Sequence, residues 1–220
     1  MEFKSLFPVW DQLTREQQSR ITQRLTERRA EKGTVIHGGG MECTGVLLVK
    51  SGQIRAYSLS DDGREITLYR LFEGDLCLFS APCMMRSIQF DITFEAEKDT
   101  VYWSIPPEIY RQLMEQSAPV ANFTNEIMAT RFSEVMWLME QILWKRFDQR
   151  LAGFLVEEAN IEGSNVLHIT QDAIGRHMGN PREVVTRMLK YFSGEGYVRL
   201  SRGTVELLNP KKLREISETQ

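Results

Sequence analysis

TQDAIGRHMGNPREVVTRMLKYF, residues 170 to 192, reads as two short helices with a tight turn between them. Ala173, Ile174 and Met178 give the first helix an apolar stripe. Gly179-Asn180-Pro181 ends it, because Gly and Asn tolerate the left-handed backbone of a helix terminus and Pro cannot continue a helix. The second helix starts around Pro181, a favourable first helical residue. Val184, Val185, Met188 and Leu189 supply its buried side at spacings of three and four. Arg182, Glu183, Thr186 and Arg187 fall on the opposite face, near the N-terminus. In a major groove, Arg pairs bidentately with guanine and Glu accepts from cytosine N4. An ordinary helical hairpin would simply solvate the same charges, so the flanking sequence has to decide.

Ile169-Thr170-Gln171-Asp172 places a hydroxyl and a carboxylate before the first helix, as an N-cap requires. Beyond the second helix, Ser193-Gly194-Glu195-Gly196 is a turn. Residues 197–201 and 204–208 then alternate as a strand pair around Arg202-Gly203. Helix, turn, helix and β-hairpin in that order make a winged helix. Arg199 and Arg202 lie where a wing would meet phosphates. The expected DNA-facing set is Thr170, Gln171, Asn180, Arg182, Glu183, Thr186, Arg187, Lys190, Arg199 and Arg202. From 170 to 202 there are six Lys or Arg against three Asp or Glu, in a chain of net charge −3. A local positive patch on an acidic protein suits phosphate contact.

With 220 residues, 42% hydrophobic and 26% charged, the chain is long enough for one large domain or two small ones. Its longest apolar runs, such as Val46 to Val49, are too short to span a bilayer. The N-terminal MEFKSLFPVWDQL lacks the apolar core and cleavage site of a signal peptide. A soluble cytoplasmic protein with no membrane partner is the expectation. Cys43, Cys77 and Cys83 are odd in number, so reduced structural thiols are expected; a Cys77–Cys83 pair or a soft-metal site is the alternative.

Residues 10 to 29 read as a polar amphipathic helix with Leu13, Ile21 and Leu25 on one side, capped by Asp11 or Thr14. From Glu31 to Ile105 the texture changes to short β-branched runs punctuated by glycine: 34–36, 45–49, 53–59, 65–71, 76–79, 88–96 and 100–105. Strands recurring at this interval predict a small jelly roll. Pro106-Pro107 closes the region, and a short helix covers Glu108 to Gln116. The longest helical stretch follows, from Ala118 to about Leu143. Its apolar residues Ala121, Met128, Phe132, Val135, Met139 and Ile142 recur as a heptad seam, which predicts two such helices packed together in a homodimer. Packing of the stripe on its own domain is the alternative. Trp137, Leu138 and Leu143 lie off the seam and are expected to cover the roll. Lys145 to Asn160 is a further helix with Phe147, Leu151, Leu155 and Val156 inward. The class is therefore α+β, with a sensor domain at 1–117, a dimerisation helix at 118–144 and a winged helix-turn-helix at 145–220. A dimer would set two recognition helices about 34 Å apart, one turn of DNA.

This order resembles the Crp/Fnr family of bacterial transcription regulators, and the resemblance covers nearly the whole chain. Its carriers are GVLLVKSGQIR from Gly45, DGREITL from Asp62, GDLCLF from Gly74, RLAGFL from Arg150, and Thr170 through Leu189. The resemblance implies a cytoplasmic homodimer whose roll senses a small signal, whose hairpins bind double-stranded promoter DNA, and whose partners include RNA polymerase. The family's base-reading Arg, Glu and Arg fall on Arg182, Glu183 and Arg187. The oxygen-sensing branch lacks the first Arg and has Ser where this chain has Thr186. A half-site resembling TGTGA is implied.

The cyclic-nucleotide branch holds its phosphate with a Glu in a Gly-Glu-Leu run and a following Arg-Ser pair. Asp75 replaces that Glu, and ungapped alignment from Glu95-Ala96 places Phe90-Asp91 at the Arg-Ser position. Losing the guanidinium removes the bidentate clamp, and a carboxylate repels phosphate. Arg86-Ser87 is a substitute only if the next strand carries an insertion. The residues that would meet adenine become Val135-Met136. Cyclic AMP is therefore not the expected signal. Residues 1 to 42 hold no cysteine for an iron–sulfur cluster. For haem, only His37, expected in a solvated loop of the roll, is placed to serve as axial ligand. No cofactor is predicted, with haem and redox-active thiols left open. The expected effector pocket comprises Gly74, Asp75, Leu76, Cys77, Arg86, Phe90 and Val135. Its ligand would shift the seam and reset the recognition helices. An enzyme with a cupin-like roll would need several metal-binding histidines on the roll strands, where only His37 stands. The alternative function is a sensing module whose hairpin contacts protein instead of DNA.

Overall fold

The computed structural model describes residues 2–38, 43–81, 83 and 91–219. Two compact units emerge: Met1–Leu59 with Leu68–Val135, and Ser60–Thr67 with Met136–Gln220.

The first unit opens with α1 (Phe3–Leu6), a 3-10 turn at Trp10–Gln12 and α2 (Arg15–Arg24). A capping box starts α2: Gln17 N donates to Thr14 Oγ1 at 3.3 Å, and Thr14 N donates to Gln17 Oε1 at 2.9 Å. The helix expected over 10 to 29 is thus too long at both ends. Leu25 is extended, and Thr26–Ala30 forms β1, antiparallel to β8 (Thr100–Ile105). Only Ala30 of β1 is buried, so this charged edge strand lacks the alternation by which a half-buried strand is recognised.

Between them lie β2 (Val35–Gly38), β3 (Val46–Ser51), β4 (Ile54–Leu59), β5 (Glu65–Leu71), β6 (Leu76–Cys77) and β7 (Thr93–Ala96). The eight strands form two four-stranded sheets, ordered β1-β8-β3-β6 and β2-β7-β4-β5. The jelly roll is therefore as expected, although residues 88 to 90 of the anticipated sixth run lie outside the described residues. β3 is buried on both faces. Leu47 and Val49 join Ile54, Leu71 and Phe94 in the roll interior, while Val46 and Leu48 pack with Phe7, Ile21 and Tyr110. That accounts for the unbroken run VLLV where alternation would mark a one-sided strand.

Pro107 is the first residue of α3 (Pro107–Gln116), and α4 (Ala118–Trp144) follows at once. On α4, Val120, Thr124 and Arg131 are buried. The second unit contains α5 (Phe147–Glu162), β9 (Val166–Leu167), α6 (Gln171–Met178), α7 (Arg182–Gly194), β10 (Val198–Ser201), β11 (Thr204–Leu207) and α8 (Pro210–Glu218). Leu151, Leu155, Ile174, Val185, Leu189 and Phe192 form its core and are fully buried. The wing has the expected two-residue turn, with Ser201 opposite Thr204 and Gly203 at φ +70°. β9 adds a third strand beside β11, and Leu213 of α8 seals the core. Neither β9 nor α8 was anticipated from sequence.

Candidate nucleic-acid interface and signal site

Thr170 caps α6, its Oγ1 accepting from Ala173 N at 3.1 Å. Gly179 ends that helix in the left-handed region at φ +68°, whereas Asn180 keeps a negative φ. Gly175, inside α6, is where the turn folds back most closely, and a Cβ there would stand 2.6 Å from the Asn180 carbonyl oxygen. Pro181 lies one residue before α7 instead of inside it.

Arg182, Glu183, Arg187 and Lys190 are exposed along α7, Thr186 is half-buried, and all five border one open concavity. Arg182, Arg187 and Lys190 have no ion-pair partner among the described residues. Thr186 Oγ1 stands 2.5 Å from Gln171 Oε1 and 2.8 Å from Arg182 O, tying the reading helix to α6. A second concavity brings Thr170, Gln171 and Arg182 together with Arg202 of the wing turn. Two of the expected residues have other engagements. Asn180 Oδ1 accepts from Arg150 Nη2 at 3.3 Å, and Arg199 pairs across the wing with Glu206 at 2.7 Å.

In the roll, Gly74 takes φ +86° in the turn that leads into β6. Phe72 N donates to Asp75 Oδ2 at 2.8 Å, and Asp75 Oδ1 lies 3.9 Å from Arg131 Nη2 of α4. Leu76 and Cys77 point into the core. Val135 is exposed, one helical turn beyond Arg131, while Arg86 and Phe90 lie outside the described residues. Sequence reasoning missed Arg131 and Tyr69. Arg131 is buried, with its guanidinium 4.7 Å from the Tyr69 ring centroid and hydrogen bonds of 3.0 and 2.8 Å to the Glu134 carboxylate. Burial works against its charge, but Glu134 and Asp75 outweigh this and raise its pKa. Burial likewise holds the Tyr69 phenol well above its usual pKa, and its hydroxyl has no hydrogen-bond partner among the described residues. The available signal was that Arg131 is the sole basic residue between 118 and 144.

The expectations for His37 and for the cysteines need correction. His37 is buried in β2, its Nδ1 3.2 Å from Thr44 Oγ1, and is not a solvated loop residue. No cluster of metal-binding side chains occurs among the described residues. Cys43 and Cys83, expected as reduced thiols, are bonded to one another, and the alternative Cys77–Cys83 pair is not formed. Cys77 faces inward on β6 and cannot meet a residue outside the roll; burial pushes its thiol up to about 11. On α4, Ala121 is half-buried and Met128 packs on the roll core, whereas Phe132, Val135, Met139 and Ile142 are exposed. Trp137 and Leu143 are 57% and 61% exposed, and Leu138 is half-buried.

A capped helix, a glycine turn, an exposed cationic helix and a β-wing define a winged helix-turn-helix protein, here following an eight-stranded roll. Residues 149–216 match the model of the Crp-like helix-turn-helix domain, and residues 27–117 that of the cyclic nucleotide-binding domain. The chain is similar to a crystal structure from Eubacterium rectale assigned to the crp/fnr family of transcriptional regulators. The two share 58% identity and a TM-score of 0.95, over 98% of this chain and 100% of that one. It is 26% identical over 186 residues to the transcriptional regulator SdrP of Thermus thermophilus, covering 78% of this chain and 83% of the relative. To the cyclic AMP receptor protein of the same organism it is 27% identical over 172 residues, covering 78% and 79%. The chain belongs to the Crp/Fnr family: it is a transcriptional regulator with a DNA-binding helix-turn-helix and a cyclic-nucleotide-binding-like domain. None of its helices among the described residues is long and apolar enough to cross a membrane.

Proposed function

We propose that the protein acts in the cytoplasm as a homodimer that reads a palindromic DNA site through α7 and senses a small signal other than cyclic AMP in its roll. The observation that carries this is the face of α7, where Arg182, Glu183, Arg187 and Lys190 are exposed together and the three cations lack ion-pair partners among the described residues. Cations held that way meet phosphates and guanine edges without first breaking an internal pair. Thr170, Gln171 and Arg202 complete a contact surface for the backbone, and Asn180 and Arg199 support the turn and the wing. A TGTGA-like half-site follows from Arg182, Glu183 and Arg187, and RNA polymerase is the partner at the promoter.

The division is a sensor at 1–117, a dimerisation helix at 118–144 and a DNA-binding domain at 145–220. The dimer rests on Phe132, Val135, Met139 and Ile142, large apolar side chains left exposed at seam spacing. Met139→Glu, which sets like charges across the seam, should leave monomers in sedimentation analysis. In the roll, Asp75 is already engaged by Phe72 N and faces Arg131, so an anionic nucleotide phosphate would meet a carboxylate. The signal site we assign is the Gly74–Cys77 turn with Arg131. A ligand that draws Arg131 away from Glu134 or Asp75 would act on α4 directly.

Selection of bound sequences from a random DNA pool tests the reading. A palindrome with half-sites about ten base pairs apart supports it. A pool that stays unenriched, both for the protein alone and for protein saturated with the small-molecule fraction of a cell extract, defeats it.

A further inference from the structure

The three cysteines divide into two chemical kinds. Cys77 is buried, while Cys43 and Cys83 are both exposed, bonded to one another across 40 positions of sequence with their Cα atoms 6.1 Å apart. We propose that Cys43 and Cys83 form a reversible thiol–disulfide couple on the surface of the roll, open to exchange with low-molecular-weight disulfides.

The Cα separation lies in the range that a disulfide spans without moving the backbone. More telling is what holds the two segments. Thr44 N donates to Ser80 O at 3.0 Å, Ser80 Oγ donates to Gly45 O at 2.7 Å, and Ser104 Oγ donates to Thr44 O at 2.8 Å. Each cysteine therefore stands within three residues of an anchor that does not depend on the sulfur bridge. Reduction leaves the two thiols side by side, and closing the bridge again is an intramolecular step. Cys83 N donates to Cys43 Sγ at 3.2 Å. In the dithiol that donor favours the Cys43 thiolate, the form that attacks.

The chemistry balances with a small disulfide as oxidant. The Cys43 thiolate attacks one of its sulfurs, its S–S bond breaks, and the other sulfur leaves as a thiolate. Deprotonated Cys83 then attacks the Cys43 sulfur of the mixed disulfide, forming the Cys43–Cys83 bond and expelling the second small thiolate. Two electrons pass from the cysteines to the oxidant, and two protons end on the two thiols released. Oxidation thus fastens the start of β3 to the chain beyond β6. Asp75, which precedes β6, is the residue that faces Arg131.

The test uses the full chain, incubated without denaturant in oxidised glutathione or in dithiothreitol, then alkylated, digested and weighed. Expected are a Cys43–Cys83 linked peptide within one chain after oxidation, and alkyl groups on both residues after reduction. Cys77 should be labelled only after unfolding. Cys83→Ser, which keeps the backbone donor to Cys43 Sγ, should acquire a glutathione adduct at Cys43. A bridge to Cys77, a bridge only between chains, a pair that resists dithiothreitol until the protein is unfolded, or a Cys83→Ser protein that takes up no glutathione would each overturn the proposal. The readout is the thiols alone, so it stands or falls separately from DNA binding.

Discussion

In the roll, Arg131 is buried and the side chain of Arg70 largely covered, both against carboxylates, Arg70 Nε lying 2.7 Å from Glu97 Oε2; in the winged unit, Arg182, Arg187 and Lys190 stand exposed over a core of aliphatic and aromatic side chains. The two arrangements suit different tasks. An exposed cation has little desolvation to lose and attracts phosphate over a Debye length. A buried one persists only while its partners do, so its position responds to anything that competes for them. The Tyr69 hydroxyl beside Arg131, without a hydrogen-bond partner among the described residues, belongs to the same set of polar groups.

The contrast can be broken at four points. Leu151→Ala, at a fully buried position of the winged core, should cost about 2–5 kcal/mol in urea denaturation. An early transition of the winged unit alone would show that the two units unfold separately. Arg131→Ala should cost about 1–3 kcal/mol, less than for a fully buried pair because Glu134 and Asp75 are partly exposed. Arg131→Met, which keeps the packing over Tyr69, should cost less. Arg187→Ala reverses the pattern: stability should stay within about 0.5 kcal/mol, while affinity for the selected site falls by about 1–3 kcal/mol in a fixed-salt titration and base preference relaxes. Arg199→Ala is the smallest. Its cross-strand pair with Glu206 is solvent-exposed, so denaturation should move by less than about 1 kcal/mol. The salt slope of DNA binding should drop by no more than about one ion.

Elements with strong local chemistry were legible in the sequence. The hairpin was announced by Thr170, Gly179 and the apolar spacing of α6 and α7, and the roll by glycine turns between β-branched runs. What escaped had its cause at a distance. β1 is a charged edge whose only buried residue is Ala30, and β9 is two residues long, so neither carries a periodic signal. His37 looked solvated because glycines follow it, yet Thr44 and Phe94 bury its ring. Cys43 meets Cys83 because Ser80 binds Gly45, a pairing that spacing along the chain does not disclose. Arg131 went unremarked because Tyr69 and Asp75, which come opposite it, are remote in sequence.

The turn between α6 and α7 also bears on redesign. Gly175 has no room for a Cβ, and Gly179 occupies a backbone region that other residues enter at a cost. Both lie outside the face that meets solvent on α7. A combinatorial library for retargeting the protein can therefore diversify residues 182, 183, 186, 187 and 190 while those two glycines stay fixed, as a mount into which different reading heads are fitted.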